Sequence, residues 1–192
     1  MSTFKQFWLI AAIIGATSAS ENISAQVQFE EILHAADEAH NWLTYNGTYS
    51  SQRHSALAQI TPANVAGLEL KWMLQNQVFG AWQSNPIIVD GIMYVTQRWN
   101  DVMAVDAVTG RVFWVYRHQP TEAPRVCCGA NNRGVAVLGD KVFMGTLDAQ
   151  LIALDRINGR PVWKVEVGDV NWDAASSADL QRLPKRVQEP VA

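Results

Sequence analysis

From residue 86 onward the chain alternates apolar and polar positions in short runs, and the set of runs comes twice. Ile87 to Val89, the pair Asp90-Gly91, and Ile92 to Thr96 read as strand, tight turn, strand. Val102 to Val105 predicts a third strand, Asp106 to Gly110 a turn, and Arg111 to Tyr116 a fourth strand. The second set predicts strands at Val135 to Leu138, Lys141 to Gly145, Leu151 to Leu154 and Arg160 to Val165, with turns at Gly139-Asp140 and Asp155 to Gly159. Upstream the pattern changes. Phe29, Ile32, Leu33 and Ala36 recur at helical spacing and predict one helix over 26–39. Residues 41–60 are rich in turn formers and aromatics and predict an irregular segment wrapped onto a sheet. Leu68, Leu70 and Trp72 alternate with Glu69 and Lys71, the pattern of a half-buried strand. Gly80 to Asn85 reads as a loop and Pro86 opens the next strand.

The two sets share the signature Ala-x-Asp-x-x-(Thr/Asn)-Gly-Arg-x-x-Trp. It appears as Ala104, Asp106, Thr109, Gly110, Arg111, Trp114 and again as Ala153, Asp155, Asn158, Gly159, Arg160, Trp163, each residue 49 positions from its match. A period of this size with four short strands per unit means a propeller or a similar array. The aspartates can accept backbone N–H bonds inside a turn, the glycines permit positive φ, and each tryptophan offers a flat face for packing one unit on the next. The expected fold is all-β: a partial β-propeller of about two to three four-stranded antiparallel blades over residues 60–169, preceded by a short N-terminal helix.

Composition sharpens this in two places. A net charge of −3 gives no electrostatic reason to expect a nucleic-acid partner. Residues 1–25 read as a secretory signal: Lys5, a short apolar run from Phe7 to Ala16, then small residues. That run is shorter than the roughly 20 apolar residues a membrane-spanning helix needs. The expected segments are therefore a leader over 1–25, a helix and wrapping segment over 26–59, blades over 60–169 and a divergent tail over 170–192.

The candidate chemistry centres on Cys127 and Cys128, the only two cysteines. Adjacent Cα atoms are about 3.8 Å apart, whereas a disulfide wants roughly 4.4–6.8 Å, so a bond between them closes a strained ring. Two small apolar side chains packed in a loop are the alternative. Export makes the bond permissible and tips the balance toward it. His34 and His40 have no cysteine or carboxylate set beside them and read as surface or packing residues, not as a metal pair.

The run from Cys127 through Asn132, Arg133, Gly134, Val135 and Ala136, then Gly145-Thr146-Leu147-Asp148-Ala149, resembles the pyrroloquinoline quinone (PQQ)-dependent methanol/ethanol dehydrogenases. So do Trp42 to Tyr49, Asn64 to Leu68 with Trp72, and Asp90-Gly91-Ile92-Met93-Tyr94. The repeated signature resembles the tryptophan-docking motif of the eight-bladed quinoprotein propellers. The resemblance implies that Cys127 and Cys128 form a vicinal disulfide lying against one face of PQQ. It implies too that Arg133 pairs with the cofactor, whose carboxylates suit a guanidinium fork. Gln83 falls where the family usually has a glutamate contacting PQQ, a departure that removes a charge and keeps a hydrogen-bonding amide.

The family pattern stops after Gly168-Asp169. No catalytic base and no metal ligand is assigned in this chain; Asp148, Asp155 and Asp169 qualify only as carboxylates, and Asp155 reads better as a turn residue. The resemblance implies the N-terminal portion of a periplasmic quinoprotein that oxidises a small alcohol and hands electrons to an acceptor such as a cytochrome. Calcium or another metal is expected of the full-length family, with ligands outside this chain. The chain alone is expected to be inactive, and a missing C-terminal portion would complete its ring. The competing reading is a periplasmic propeller scaffold that holds a protein partner without a cofactor.

Overall fold

The structure, a computed structural model, describes residues 26–76, 79–80, 82–120 and 129–168. The expected leader and the expected tail lie outside them. The described residues form two four-stranded antiparallel sheets. The first runs β1 (Ile87–Val89), β2 (Ile92–Thr96), β3 (Val102–Asp106), β4 (Val112–Tyr116). The second runs β5 (Ala136–Leu138), β6 (Lys141–Gly145), β7 (Gln150–Asp155), β8 (Pro161–Glu166). Neighbours in sequence are neighbours in each sheet, and the sheets do not close on each other.

The repeat in sequence is a repeat in register. Ala104 pairs with Trp114 and Ala153 with Trp163, and each sheet shifts register at the next position, between Ala104 and Val105 and between Ala153 and Leu154. Tyr94 lies 6.0 Å from Trp114, and Phe143 lies 5.9 Å from Trp163, ring centre to ring centre. The β3–β4 and β7–β8 turns are built alike. Asp106 Oδ1 accepts from the N–H groups of Val108 (2.9 Å) and Thr109 (3.2 Å), and Asp155 Oδ1 from those of Ile157 (2.9 Å) and Asn158 (3.0 Å). The alternation of Thr and Asn in the signature now has a cause. Thr109 Oγ1 accepts from Arg111 N–H and Asn158 Oδ1 from Arg160 N–H.

These turns carry the joint between units. Trp72 stacks over Gly110 and donates its indole N–H to the carbonyl of Ala107 at 3.1 Å. Trp114 stacks over Gly159 and donates to the carbonyl of Arg156 at 3.1 Å. Gly110 and Gly159 have φ of +74° and +70°, and a Cβ on either would come within 2.6 Å of the indole. Glycine is required there twice over, by backbone conformation and by contact. Withdrawing roughly 100 Å² of indole from water at about 25 cal/mol per Å² contributes about 2.5 kcal/mol per joint. Trp163 is placed equivalently on β8, but lies 39% exposed. A single core crosses the joint, with Tyr94, Val102 and Ala104 from one sheet and Val142, Ile152 and Leu154 from the other.

Two expectations need correction. The helix is α1 (Phe29–Leu33), not 26–39. Glu31 completes a capping box with Gln28 at its start, but Ala35 N–H reaches back to Ile32 and Asp37 N–H to His34, so the chain tightens into turns after one α-helical stretch. Ile32 and Ala35 are buried, while Phe29 and Leu33 are exposed, so the helical stripe is only half used. Residues 68–72 form no ladder among the described residues. Leu68 and Leu70 are 61% and 77% exposed, because alternation specifies a face but not the neighbour that must cover it. Only Trp72 finds its site. The wrapping segment does meet the first sheet, through the bridge from Trp42 to Ile88, and Val27, ahead of the helix, bridges to Gly139 beside the second. Among the described residues no helix is long and apolar enough to cross a membrane.

Candidate functional site

The ends of the sheets opposite the tryptophan joints gather the irregular segments. Thr96 pairs with Val102, Val102 with Tyr116, and Gly145 with Leu151. That puts the β2–β3 turn, the segment leaving β4, the β6–β7 turn and the approach to β1 at one end. Residues 129–135, which lead into β5, lie across this end.

Arg133 is held there by its backbone. Its carbonyl accepts from Asn85 N–H at 2.9 Å. On the C-terminal side, Gly134 has φ +141°, and a Cβ would lie 2.9 Å from the carbonyl oxygen of Asn85, so only glycine lets the two segments approach. On the N-terminal side, Asn132 is buried with its polar groups spent. Its Nδ2 donates to Asn100 Oδ1 (3.0 Å) and to the carbonyl of Gly145 (2.8 Å). Its Oδ1 accepts from Gly134 N–H (3.1 Å), and its carbonyl from Thr96 Oγ1 (2.9 Å). Ser84 Oγ in turn accepts from Thr96 N–H at 2.9 Å.

The Arg133 side chain is exposed, and its Nη2 donates to Gln83 Oε1 at 3.3 Å. Two of the four sequence-predicted site residues are therefore neighbours, 50 positions apart in the chain. Among the described residues no carboxylate lies within ion-pairing distance of Arg133. Its charge faces an amide dipole and water, which suits a carboxylate-bearing ligand with a fork-shaped guanidinium contact. Cys127 and Cys128 lie outside the described residues, as does Asp169.

A buried pair ties the same end together. His118 Nε2 lies 2.8 Å from Asp148 Oδ1, both side chains fully buried, and joins the segment after β4 to the β6–β7 turn. The His118 N–H donates to Asp101 Oδ1 at 3.1 Å. Burial pushes the Asp101 carboxyl above its ordinary value, against the lowering effect of that hydrogen bond. Asp148, weighed above as a carboxylate, is thus engaged with His118 in the interior, and Asp155 is the turn residue it was expected to be. No group of three or more His, Cys, Asp or Glu that could hold a metal ion occurs among the described residues.

Sequence reasoning missed Asn100, Asn132, Thr96 and the His118–Asp148 pair. For Asn132 a signal existed: Asn-Asn-Arg-Gly offers a side-chain acceptor two residues before a glycine N–H, the spacing of an Asx turn. Asn100 and His118 carried no such mark.

The comparisons with known proteins fall on the same residues. The PQQ glucose/ethanol/alcohol dehydrogenase β-propeller domain matches residues 42–178. The dehydrogenase subunit of a quinone-dependent alcohol dehydrogenase from Gluconacetobacter polyoxogenes is 42% identical over 161 residues, 82% of this chain and 22% of that protein. The structure of the quinohemoprotein alcohol dehydrogenase ADHIIG from Pseudomonas putida HK5 matches with a TM-score of 0.68 and 38% identity, covering 73% of this chain and 21% of the other. A europium-containing methanol dehydrogenase matches with a TM-score of 0.64 and 32% identity, covering 73% and 25%. The chain spans about a quarter or less of the length of these relatives.

Proposed function

The chain belongs to the PQQ glucose/ethanol/alcohol dehydrogenase β-propeller family, and from that premise we propose that Gln83, Cys127, Cys128 and Arg133 form one wall and one edge of a PQQ site in an alcohol-oxidising quinoprotein. The chain supplies two adjoining blades of it. The observation that carries this reading is Arg133, an exposed guanidinium on a backbone tied from both sides, with a neutral amide as its described partner. PQQ bound there supplies the two-electron oxidant for an alcohol. The chain's own residues bind and orient it: Arg133 by a charge-assisted fork to a carboxylate, Gln83 by its amide, and the cysteines, oxidised to a vicinal disulfide, by a flat apolar face. A metal beside the quinone would take its ligands from elsewhere in the full protein, as would the base and the opposite wall. The leader and the cysteine pair both fit export to the periplasm, and a cytochrome-type acceptor fits the quinohemoprotein relatives.

The test is titration of the purified 192-residue chain with PQQ, followed by a dye-linked assay with ethanol and methanol in the presence of calcium. Weak binding is expected, abolished by Arg133→Ala, with no turnover. Catalysis needs groups held in productive geometry around a water-poor site, and two open blades do not enclose one. Turnover of about 1 per second or faster would show that the chain is complete as an enzyme. A flat titration would favour the cofactor-free scaffold that holds a protein partner. Peptide mapping without reductant that found two free thiols at Cys127 and Cys128 would remove the disulfide face from the site.

A further inference from the structure

Arg133 owes its backbone to an amide in the other sheet. Asn100 is 1% exposed, in the β2–β3 turn. Its Oδ1 accepts two hydrogen bonds, from Asn132 Nδ2 at 3.0 Å and from Leu147 N–H at 3.2 Å. Asn132 passes the constraint on, since its own Oδ1 holds Gly134 N–H. One oxygen in the first sheet therefore links the β6–β7 turn of the second sheet to the two residues that flank Arg133.

The backbone at Asn100 does not explain the asparagine. Trp99 and Asn100 both lie in the left-handed region, at φ +64° and +68°. Asparagine tolerates that conformation better than most residues. The repeat supplies a control, because the position 49 residues on is Ala149, also left-handed at φ +59° and without a side-chain acceptor. The matching left-handed position is thus filled once by an amide and once by a methyl group, although Trp99 is left-handed as well and its counterpart Asp148 is not. The amide is present only in the copy that faces the Arg133 loop. Losing it would leave a Leu147 N–H and one Asn132 N–H without their acceptor in a buried site, the expensive way to lose a hydrogen bond.

We propose that Asn100 is a positioning residue for Arg133: acting through Asn132, it fixes the backbone of residues 132–134 and so aims the guanidinium, without touching the ligand. This rests on the reading of Arg133 as the carboxylate partner of PQQ, yet the coupling itself is measurable with no quinone present.

Asn100→Ala removes the acceptor and leaves the residue that the repeat itself carries at the matching left-handed position, Ala149. In the full chain, solvent exchange of the Gly134 and Leu147 amides should accelerate about tenfold. The Asp106 and Gly110 amides and the Trp114 indole N–H, at the opposite end, should keep their rates. PQQ binding should weaken by a similar factor, and Asn100→Asp, which retains an accepting oxygen, should restore protection of Gly134. Unchanged exchange at Gly134 overturns the proposal. So does equal acceleration at Asp106, Gly110 and the Trp114 indole, which would make Asn100 ordinary core. If Asn100→Ala does not fold, the wild-type chain still decides. Gly134 and Leu147 should exchange through one shared opening, and rates that differ by more than about tenfold would break the link. A wild-type chain that shows the coupling yet binds no PQQ upholds the link and overturns the quinone reading, so the two failures are distinct.

Discussion

The two ends of this molecule are built on opposite plans. At the end of the β3–β4 and β7–β8 turns, the tryptophan contacts come twice: Trp72 on Gly110 and Ala107, Trp114 on Gly159 and Arg156. At the other end the backbone bond that closes the turn repeats, Gln97 N–H to the Asp101 carbonyl and Thr146 N–H to that of Gln150, but the side-chain contacts among the described residues do not. Asn100 stands opposite Ala149 in the repeat, and Arg133, Asn132 and the His118–Asp148 pair have single-copy partners. Joining blades is one problem solved the same way at each joint, so its chemistry must repeat. Holding one ligand, the role proposed for the Arg133 end, is a problem posed once, at one place, so residues that serve it are expected to break the repeat.

The largest effect should come from adding one carbon at the joint. Gly159→Ala puts a methyl group into the Trp114 indole and forces a left-handed backbone on alanine, a combined cost of about 3 kcal/mol. Gly91→Ala asks for the same backbone, at φ +75°, with nothing within 4 Å, and should cost about 1 kcal/mol. Urea midpoints of the two variants isolate the indole contact. Equal losses would mean that the stack of Trp114 on Gly159 contributes nothing beyond the turn.

Next in size is the contrast between a joined and an open tryptophan. Trp114→Ala should cost about 2–3 kcal/mol, the stacked area plus the hydrogen bond to Arg156. Trp163→Ala, 39% exposed and set against Phe143 with no glycine stack or indole hydrogen bond among the described residues, should cost about 1 kcal/mol. A Trp163 as costly as Trp114 would mean that the second sheet's edge is covered in solution, and sedimentation of the chain would then show an assembly.

What could be read in advance follows the same division. The eight strands, their order and the equivalence of Trp114 and Trp163 were legible because the chain prints the unit twice, and a pattern confirmed at a 49-residue offset needs no partner to be recognised. Trp72 shows the boundary. Its alternation with Leu70 and Leu68 was visible, but a strand exists only where another pairs with it, and here only the indole is seated. Arg133 and Gln83 were singled out as candidates through a resemblance to a family, and their side chains are hydrogen-bonded to each other. Asn100 was not legible, because its role depends on Asn132 and Leu147 arriving from far along the chain. The overlong helix had a different cause, periodicity that continues past the point where Ala35 and Asp37 turn the backbone.

The smallest effect separates the two ends by pH. At the joint end, Asp106 is held below its ordinary value, first by the Thr109 hydroxyl and then by the Val108 and Thr109 N–H groups; Asp140 is held low mainly by Lys141. A carboxyl with a depressed folded pKa contributes stability above its unfolded pKa, about 4, and loses it as pH falls through the folded value. At the site end, Asp101 is raised by burial, so its sign is opposite. Its contribution is complete below about pH 4 and is lost as pH rises through the folded value. Asp106→Asn should therefore flatten the acid side of the stability profile. Asp101→Asn, which keeps a carbonyl oxygen for His118 N–H, should flatten a slope of the other sign above pH 4 and leave the protein no less stable at neutral pH. Denaturant unfolding across pH 2.5 to 7 for the three proteins, with intervals of roughly half a unit around the carboxylate range, resolves both slopes. Slopes of the same sign for the two variants would show that burial does not dominate at Asp101, and that the two ends differ in contacts but not in their response to protons.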